Sequence, residues 1–168
     1  MNERAVAELL DKQAITEGLY RYCRSMDRMD KEIGYAVWHE DGLADYGETI
    51  FQGTGRGFID FVTDTHARMI SHSHQVANII INLDGDRAGS ESYVTGALRF
   101  DIDGQLTQVI VRGRYCDRWS CRNGRWAIDK RVFVHDFDER RTIDAIQFPG
   151  WSTRDKNDPS YAILALED

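Results

Sequence analysis

Proline and cysteine are both scarce in this chain. Two prolines in 168 residues, Pro149 and Pro159, leave the first six-sevenths of the sequence free of helix and strand breakers. Three cysteines, Cys23, Cys116 and Cys121, are an odd number without CxxC spacing. That argues against a disulfide framework and a tetrahedral zinc site, and for a reducing cytoplasm. No apolar run approaches the length needed to span a bilayer. The N-terminal thirteen residues are charged throughout and carry no apolar signal-peptide stretch. Positive charge is also in deficit: the formal net charge is -7 at pH 7, and the arginines are dispersed among acids. Nucleic acid and anionic membrane surfaces are therefore poor partners. The length suits one domain with a real core.

What is present is periodicity. Leu9, Leu10, Ile15, Leu19, Cys23 and Met26 recur at helical spacing and predict a first helix from Ala5 to about Asp30. A short helix over Lys31–Trp38, a strand over Leu43–Phe51 and a third helix over Phe58–Ile70 are expected next. Gly53, Gly55 and Gly57 have GxGxG spacing, but neither a lysine nor a strand–helix nucleotide unit accompanies them, so they read as a flexible turn. The second half changes character. Val76–Leu83, Arg87–Ile102, Gln105–Cys121 and Arg125–Phe137 read as strands separated by Asp-Gly and Asn-Gly turn chemistry. A polar tail from Asp138 is expected to be irregular. Helices followed by antiparallel strands make an α+β layout, with helices on one face of a curved sheet enclosing a pocket.

Two polar residues interrupt these apolar patterns: Asp27 near the end of the first helix, and His74 just before the strand at Val76. An aspartate that orients a histidine through one ring nitrogen frees the other to take a proton. The alternatives are a solvated or capping aspartate, or one paired with Arg24, and a histidine that only fills the core. His72 and His74 also form a His-x-His pair able to chelate a metal on a strand. Neither Asp45 nor His66 is placed to complete such a site, so no metal is expected, and His72 reads as a helix-terminal histidine answering the macrodipole. Arg112, Arg114 and Arg131 fall on long strands. They form either an ion-pair ladder on the solvent face with Asp117 or Asp129, or, for one of them, an electrostatic clamp in the pocket. Tyr22, Tyr46 and Tyr93 are candidate phenolic donors. Trp38, Phe61, Met69, Phe133 and Arg112 are candidate lining residues.

The ordered set Tyr20–Asp27, His74–Asn78, Asp84–Asp86, Tyr115, Arg122–Trp126 and Arg131 resembles the SnoaL-like branch of the nuclear transport factor 2-like superfamily. It looks closest to the hexachlorocyclohexane dehydrochlorinase and scytalone dehydratase group. The resemblance implies a cone-shaped α+β barrel over residues 1–137, its curved, mostly antiparallel sheet wrapped around N-terminal helices. The tail, 138–168, would cover the pocket or a subunit interface, anchored by Phe148, Trp151 and Tyr161. It implies a cofactor-free lyase in which His74 and Asp27 form the dyad and Arg131 assists the leaving group. Where the dehydrochlorinase has a lysine, five residues before its aspartate, this chain has Tyr22, which suits an oxygen leaving group or a carbonyl. A small hydrophobic, aromatic or cyclic substrate and a homotrimer or dimer complete the expectation. Alternatives are a formaldehyde-releasing carbon–carbon lyase on a lignin-derived diaryl diol, a ketosteroid-isomerase-like enzyme, a small subunit of a ring-hydroxylating dioxygenase, and a hydrophobic-ligand-binding module.

Overall fold

A computed structural model describes residues 2–144 and 152–165. The elements are α1 (Glu3–Arg28), α2 (Lys31–Ala36), β1 (Trp38–Asp45), β2 (Gln52–Thr54), α3 (Gly55–His66), β3 (Ser71–Asp84), β4 (Arg87–Ile102), β5 (Gln105–Arg122), β6 (Arg125–Thr142) and α4 (Ser160–Ala165). All the strands join one six-stranded sheet in the order β2-β1-β6-β5-β4-β3. Every pairing is antiparallel except β1 alongside β6. The sheet is curved but unclosed, with β2 and β3 at its edges, so the expected barrel is an open cone. Bulges in β3, between Ala77 and Ile80, and in β6, at Asp129 and Asp136, bend the sheet.

The helix α1 is bounded by local chemistry. Asn2 accepts a hydrogen bond from the Arg4 N–H at its start. At its end Met29 adopts a left-handed conformation, φ 52°, and the Met29 and Asp30 N–H groups bond back to Met26 and Ser25. Asp30 then caps α2 through the Ile33 N–H. Ile15, Leu19, Tyr22, Cys23 and Met26 form the buried stripe of α1 and meet Trp38, Phe58, Ile59, Tyr115, Trp119 and Ile128 in the core. No helix of the described residues is long and apolar enough to cross a membrane.

Several boundaries differ from expectation. The helix α2 stops at Ala36, β1 at Asp45 and α3 at His66. The strand β3 already begins at Ser71, paired with Arg99, so His74 lies inside the strand and not before it. Three further differences have a clear physical reason. The first strand begins at Trp38, because that segment pairs with β6 from Trp38 opposite Ile128. The helix α3 begins at Gly55: Thr54 caps it through the Gly57 N–H at 3.0 Å. Gly55 is no flexible turn, since a Cβ there would lie 2.1 Å from the Trp38 indole. Finally, β6 runs to Thr142, where an irregular tail was expected. Its last residues are exposed on both faces. Main-chain pairing with β5, out to Thr107 opposite Thr142, carries that extension without any apolar alternation.

In β3 a bulge reverses the facing of the side chains. Asn78 takes φ 49°, a left-handed conformation that asparagine tolerates. The register slips between Ala77 and Ile80. Before the bulge Val76 packs toward the core; after it Ile79, Ile81 and Leu83 do. The run Val76–Leu83 therefore looks continuously apolar although each half alternates.

Candidate active site

Asp27 lies in the last turn of α1, where the helix macrodipole disfavours an acid. Its partner comes from the first residues of β3. Asp27 Oδ1 accepts from His74 Nδ1 at 2.7 Å, and Oδ2 accepts the His74 backbone N–H at 3.0 Å. Ring and main chain are thus held by one carboxylate, at side-chain exposures of only 11% for His74 and 15% for Asp27. With Nδ1 as donor, the neutral ring has its lone pair on Nε2. That edge lies over Gly96 of β4, where a Cβ would stand 3.5 Å from it. Arg24 does not compete for Asp27: it donates to Ser160 and lies over the Tyr161 ring.

His74 opens on a cavity of about 130 Å³, lined also by Tyr22, Met26, Tyr46, Phe58, His66, Gly96, Tyr115 and Phe133 among others. The hydroxyls of Tyr22 and Tyr46 are 2.6 Å apart. Tyr46 is stacked between Phe58, at 3.8 Å, and Phe133, at 5.3 Å. Burial raises the phenol pKa of both tyrosines, while the Arg131 charge pulls the other way. Arg131 is fully buried behind this wall, its guanidinium 4.1 Å from the Tyr22 ring and 3.8 Å from the Tyr115 ring. Two of its nitrogens grip Asp117 at 2.7 Å each. Burial pushes the Asp117 carboxyl up, but this bidentate contact favours its ionised form and keeps Arg131 charged. Nη1 has no partner among the described residues.

The SnoaL-like domain family matches residues 7–132, three-quarters of the sequence and all but one of the residues lining the wall just described. The chain belongs to the SnoaL-like family. No curated protein matches the sequence significantly. Among solved structures, a scytalone-dehydratase-like protein from Novosphingobium aromaticivorans is 22% identical, with a TM-score of 0.72 over 84% of this chain and 94% of that one. The type 3 hexachlorocyclohexane dehydrochlorinase of Novosphingobium barchaimii is 15% identical, with a TM-score of 0.72 over 87% and 99%. An aromatic-ring-hydroxylase-like protein from N. aromaticivorans is 24% identical, with a TM-score of 0.68 over 80% and 94%. These likenesses establish a shared fold.

On this SnoaL-like scaffold several candidates fall elsewhere. Tyr93 is 47% exposed and lies on the outer face of β4, opposite Arg114. Arg112 is exposed on that same outer face, where it donates to Thr95. Neither lines the cavity, because the pleat turns Ser92, Val94 and Gly96 inward instead. Phe61 is 39% exposed and packs against Phe51 and Phe58 on the far side of α3. Trp38 and Met69 are buried in the core without lining the cavity. Arg131 is no ladder member on the solvent face and no lining residue either; it sits one layer behind the tyrosines. Residues that were not expected do line the cavity: His66, Tyr115 and Gly96. For Tyr115 the signal was its even spacing from Gly113, Asp117 and Trp119 on the buried face of β5. His66 had only its place in the last turn of α3.

His72 answers a helix terminus, but not that of the neighbouring α3. From β3 its Nε2 reaches the carbonyl of Met26 at the end of α1, 2.9 Å away. Among the described residues no group of three His, Cys, Asp or Glu side chains is arranged to hold a metal ion.

On the Asp27 side of the dyad lies an open groove of about 860 Å³ between α1, β3 and the tail. Arg28 bonds Asp158 at 2.5 Å, Ser152 at 3.0 Å and the carbonyl of Thr153. Tyr161 donates to Asp30 at 2.7 Å, and Arg154 to the His66 carbonyl at 2.8 Å. Residues 152–165 are thereby fastened over the end of α1. Phe148 and Trp151 lie outside the described residues.

Proposed function

We propose that this chain is a cofactor-free lyase, of the dehydratase type, acting on a small hydrophobic ring compound. One observation carries the reading. Asp27 grips both the ring and the backbone of His74, and so turns the unprotonated Nε2 toward an apolar cavity. His74 takes a proton from the substrate; the electrons of that broken bond form the new double bond as the carbon–oxygen bond breaks. The departing hydroxide takes a proton from the paired Tyr22 and Tyr46 hydroxyls and leaves as water, and the His74 proton returns to the tyrosines through solvent. Arg131, behind the tyrosine rings, stabilises negative charge that develops on them, with Asp117 holding it in place. General-base catalysis of this kind contributes something like 10²–10⁴-fold.

The same reading includes a homo-oligomer, trimer or dimer, in a reducing cytoplasm. Exposed Ile80, Tyr93 and Phe137 on the outer sheet face support self-association. The tail covers the groove beside the dyad.

The test is turnover without added cofactor in deuterated water, on aryl diols, hydroxy-ketones, chlorinated rings and enones, with products read by mass. Loss of water, halide or formaldehyde, abolished in His74→Ala and Asp27→Ala, establishes the lyase and its leaving group. Deuterium uptake without mass loss makes the protein an isomerase. Equal inertness of wild type and variants, with ligands still bound, leaves a binding or subunit role.

A further inference from the structure

Three imidazoles cluster together, two of them, His66 and His74, lining the cavity, and they are not equivalent. His72 is fully engaged: Nε2 bonds Met26, and Nδ1 faces Arg154 at 3.5 Å. His74 is gripped through Nδ1 by Asp27. His66 alone has no side-chain hydrogen bond among the described residues, and its Nδ1 is buried without a partner. Yet His66 is only 5% exposed and lines the cavity. Its ring lies 5.4 Å from that of His74 and 22° from parallel, so the two form one wall. Arg154 donates to its backbone carbonyl, and the ring itself is packed against His72 and His74.

A neutral imidazole always carries one N–H. Nδ1 is sealed from any partner, so the N–H falls to Nε2, the ring nitrogen that is not walled in, and that donor also has no acceptor among the described residues. A donor left unpaired in a mostly desolvated ring costs about as much as a hydrogen bond is worth. Burial first, then the neighbouring His74, His72 and Arg154, hold the pKa of His66 near 3, so the ring meets its ligand uncharged. Neutral histidines that polarise a substrate oxygen are a known device in enzyme sites.

We propose that His66 is a substrate-binding residue whose ring N–H bonds an oxygen on the same molecule that His74 deprotonates. The proposal rests on the lyase reading for where that molecule sits, and it deepens it by naming the substrate class. The favoured ligand is a single ring with a hydroxyl or carbonyl oxygen beside the position that loses the proton. A cavity of about 130 Å³ is close to the engineered apolar cavity of about 150 Å³ that takes one benzene. A hydrocarbon or chlorinated ring leaves the His66 donor unpaired.

The experiment uses two probes of nearly equal size, phenol and toluene, titrated by NMR into the full-length protein with ¹⁵N-labelled histidine. The His66 ring nitrogens shift with phenol and not with toluene. His66→Phe lowers the preference for phenol over toluene by roughly three- to tenfold, the worth of one ordinary hydrogen bond, and His66→Gln, which keeps an N–H, retains most of it. An unchanged preference in folded His66→Phe overturns the proposal. So does a preference lost in Tyr22→Phe or His74→Ala but kept in His66→Phe. Should His66→Phe fail to fold, the wild-type nitrogen shifts decide alone. Turnover that is lost in the dyad variants, with no His66 effect on binding, overturns this contact and leaves the lyase reading intact. An inert wild type with a His66-dependent phenol preference does the reverse.

Discussion

Arg131 and Arg114 sit on neighbouring strands, each beside carboxylates, and differ only in which face of the sheet they occupy. Arg131 is wholly buried, clamped to Asp117 and covered by Tyr22 and Tyr115. Arg114 bridges Glu91 and Asp136 on the outer face, with 29% of its side chain exposed. The same chemical pair is an organising element of the cavity wall on one side and a solvated surface contact on the other. Desolvation makes the difference: it makes the inner pair costly to break and gives its charge reach over the tyrosines, while solvent screens the outer pair.

The comparison is tested hardest at Asp117. Asp117→Asn leaves a charged guanidinium buried without its counter-ion and is expected to cost about 3–5 kcal/mol of stability, read by urea unfolding; a loss below 1 kcal/mol would mean that water reaches Arg131. Activity gives a second contrast. Tyr46→Phe removes a donor from the inner wall and should lower kcat about 10²-fold, the order for one oxyanion donor, whereas Tyr93→Phe on the outer face should leave turnover unchanged. Equal effects would dissolve the distinction between the faces.

Acid gives a third. The folded protein refuses the His66 proton that the unfolded chain accepts at 6.5, since burial lowers the folded pKa to about 3. Stability is therefore whole above pH 6.5 and is lost as pH falls from there toward 3. At pH 5 the deficit from this group is about 2 kcal/mol relative to pH 8, and His66→Phe should remove most of it. A flat stability profile over that range would place His66 in contact with solvent. The smallest effect belongs to the outer pair: Arg114→Ala should change stability by less than about 1 kcal/mol, and less still at high salt.

Much of the site was legible from residue types out of place. An aspartate ending an amphipathic helix and a histidine early in an apolar strand are locally unfavourable choices, and such conflicts flag candidate functional positions. Both tyrosines were named as phenolic donors; what the sequence did not show is that Tyr22, in the buried stripe of α1, and Tyr46, just beyond β1, bring their hydroxyls to 2.6 Å from one another. What misled was parity. Tyr93 is the aromatic residue in a stretch of small ones, so it looks like the pocket residue. The inner face of β4 instead carries Ala88, Ser90, Ser92, Val94 and Gly96, whose small size leaves room for the helix and the His74 ring. His66 carried no usable signal, because its isolation appears only once the partners of His72 and His74 are known.

The sequence by itself determined the order of the main helices and strands, though not β2 or α4, together with the turns of the second half, the amphipathic face of α1 and the two out-of-place residues, Asp27 and His74, that the fold brings together. Each follows from periodicity or from a residue that conflicts with its local pattern. Only the tertiary structure decided the bulge at Asn78, the face on which each strand residue points, the burial of Arg131 and Asp117, and the meeting of three histidines. These depend on register and on contacts between residues far apart in the chain, and a one-residue slip in register sends every side chain of a strand to the opposite face.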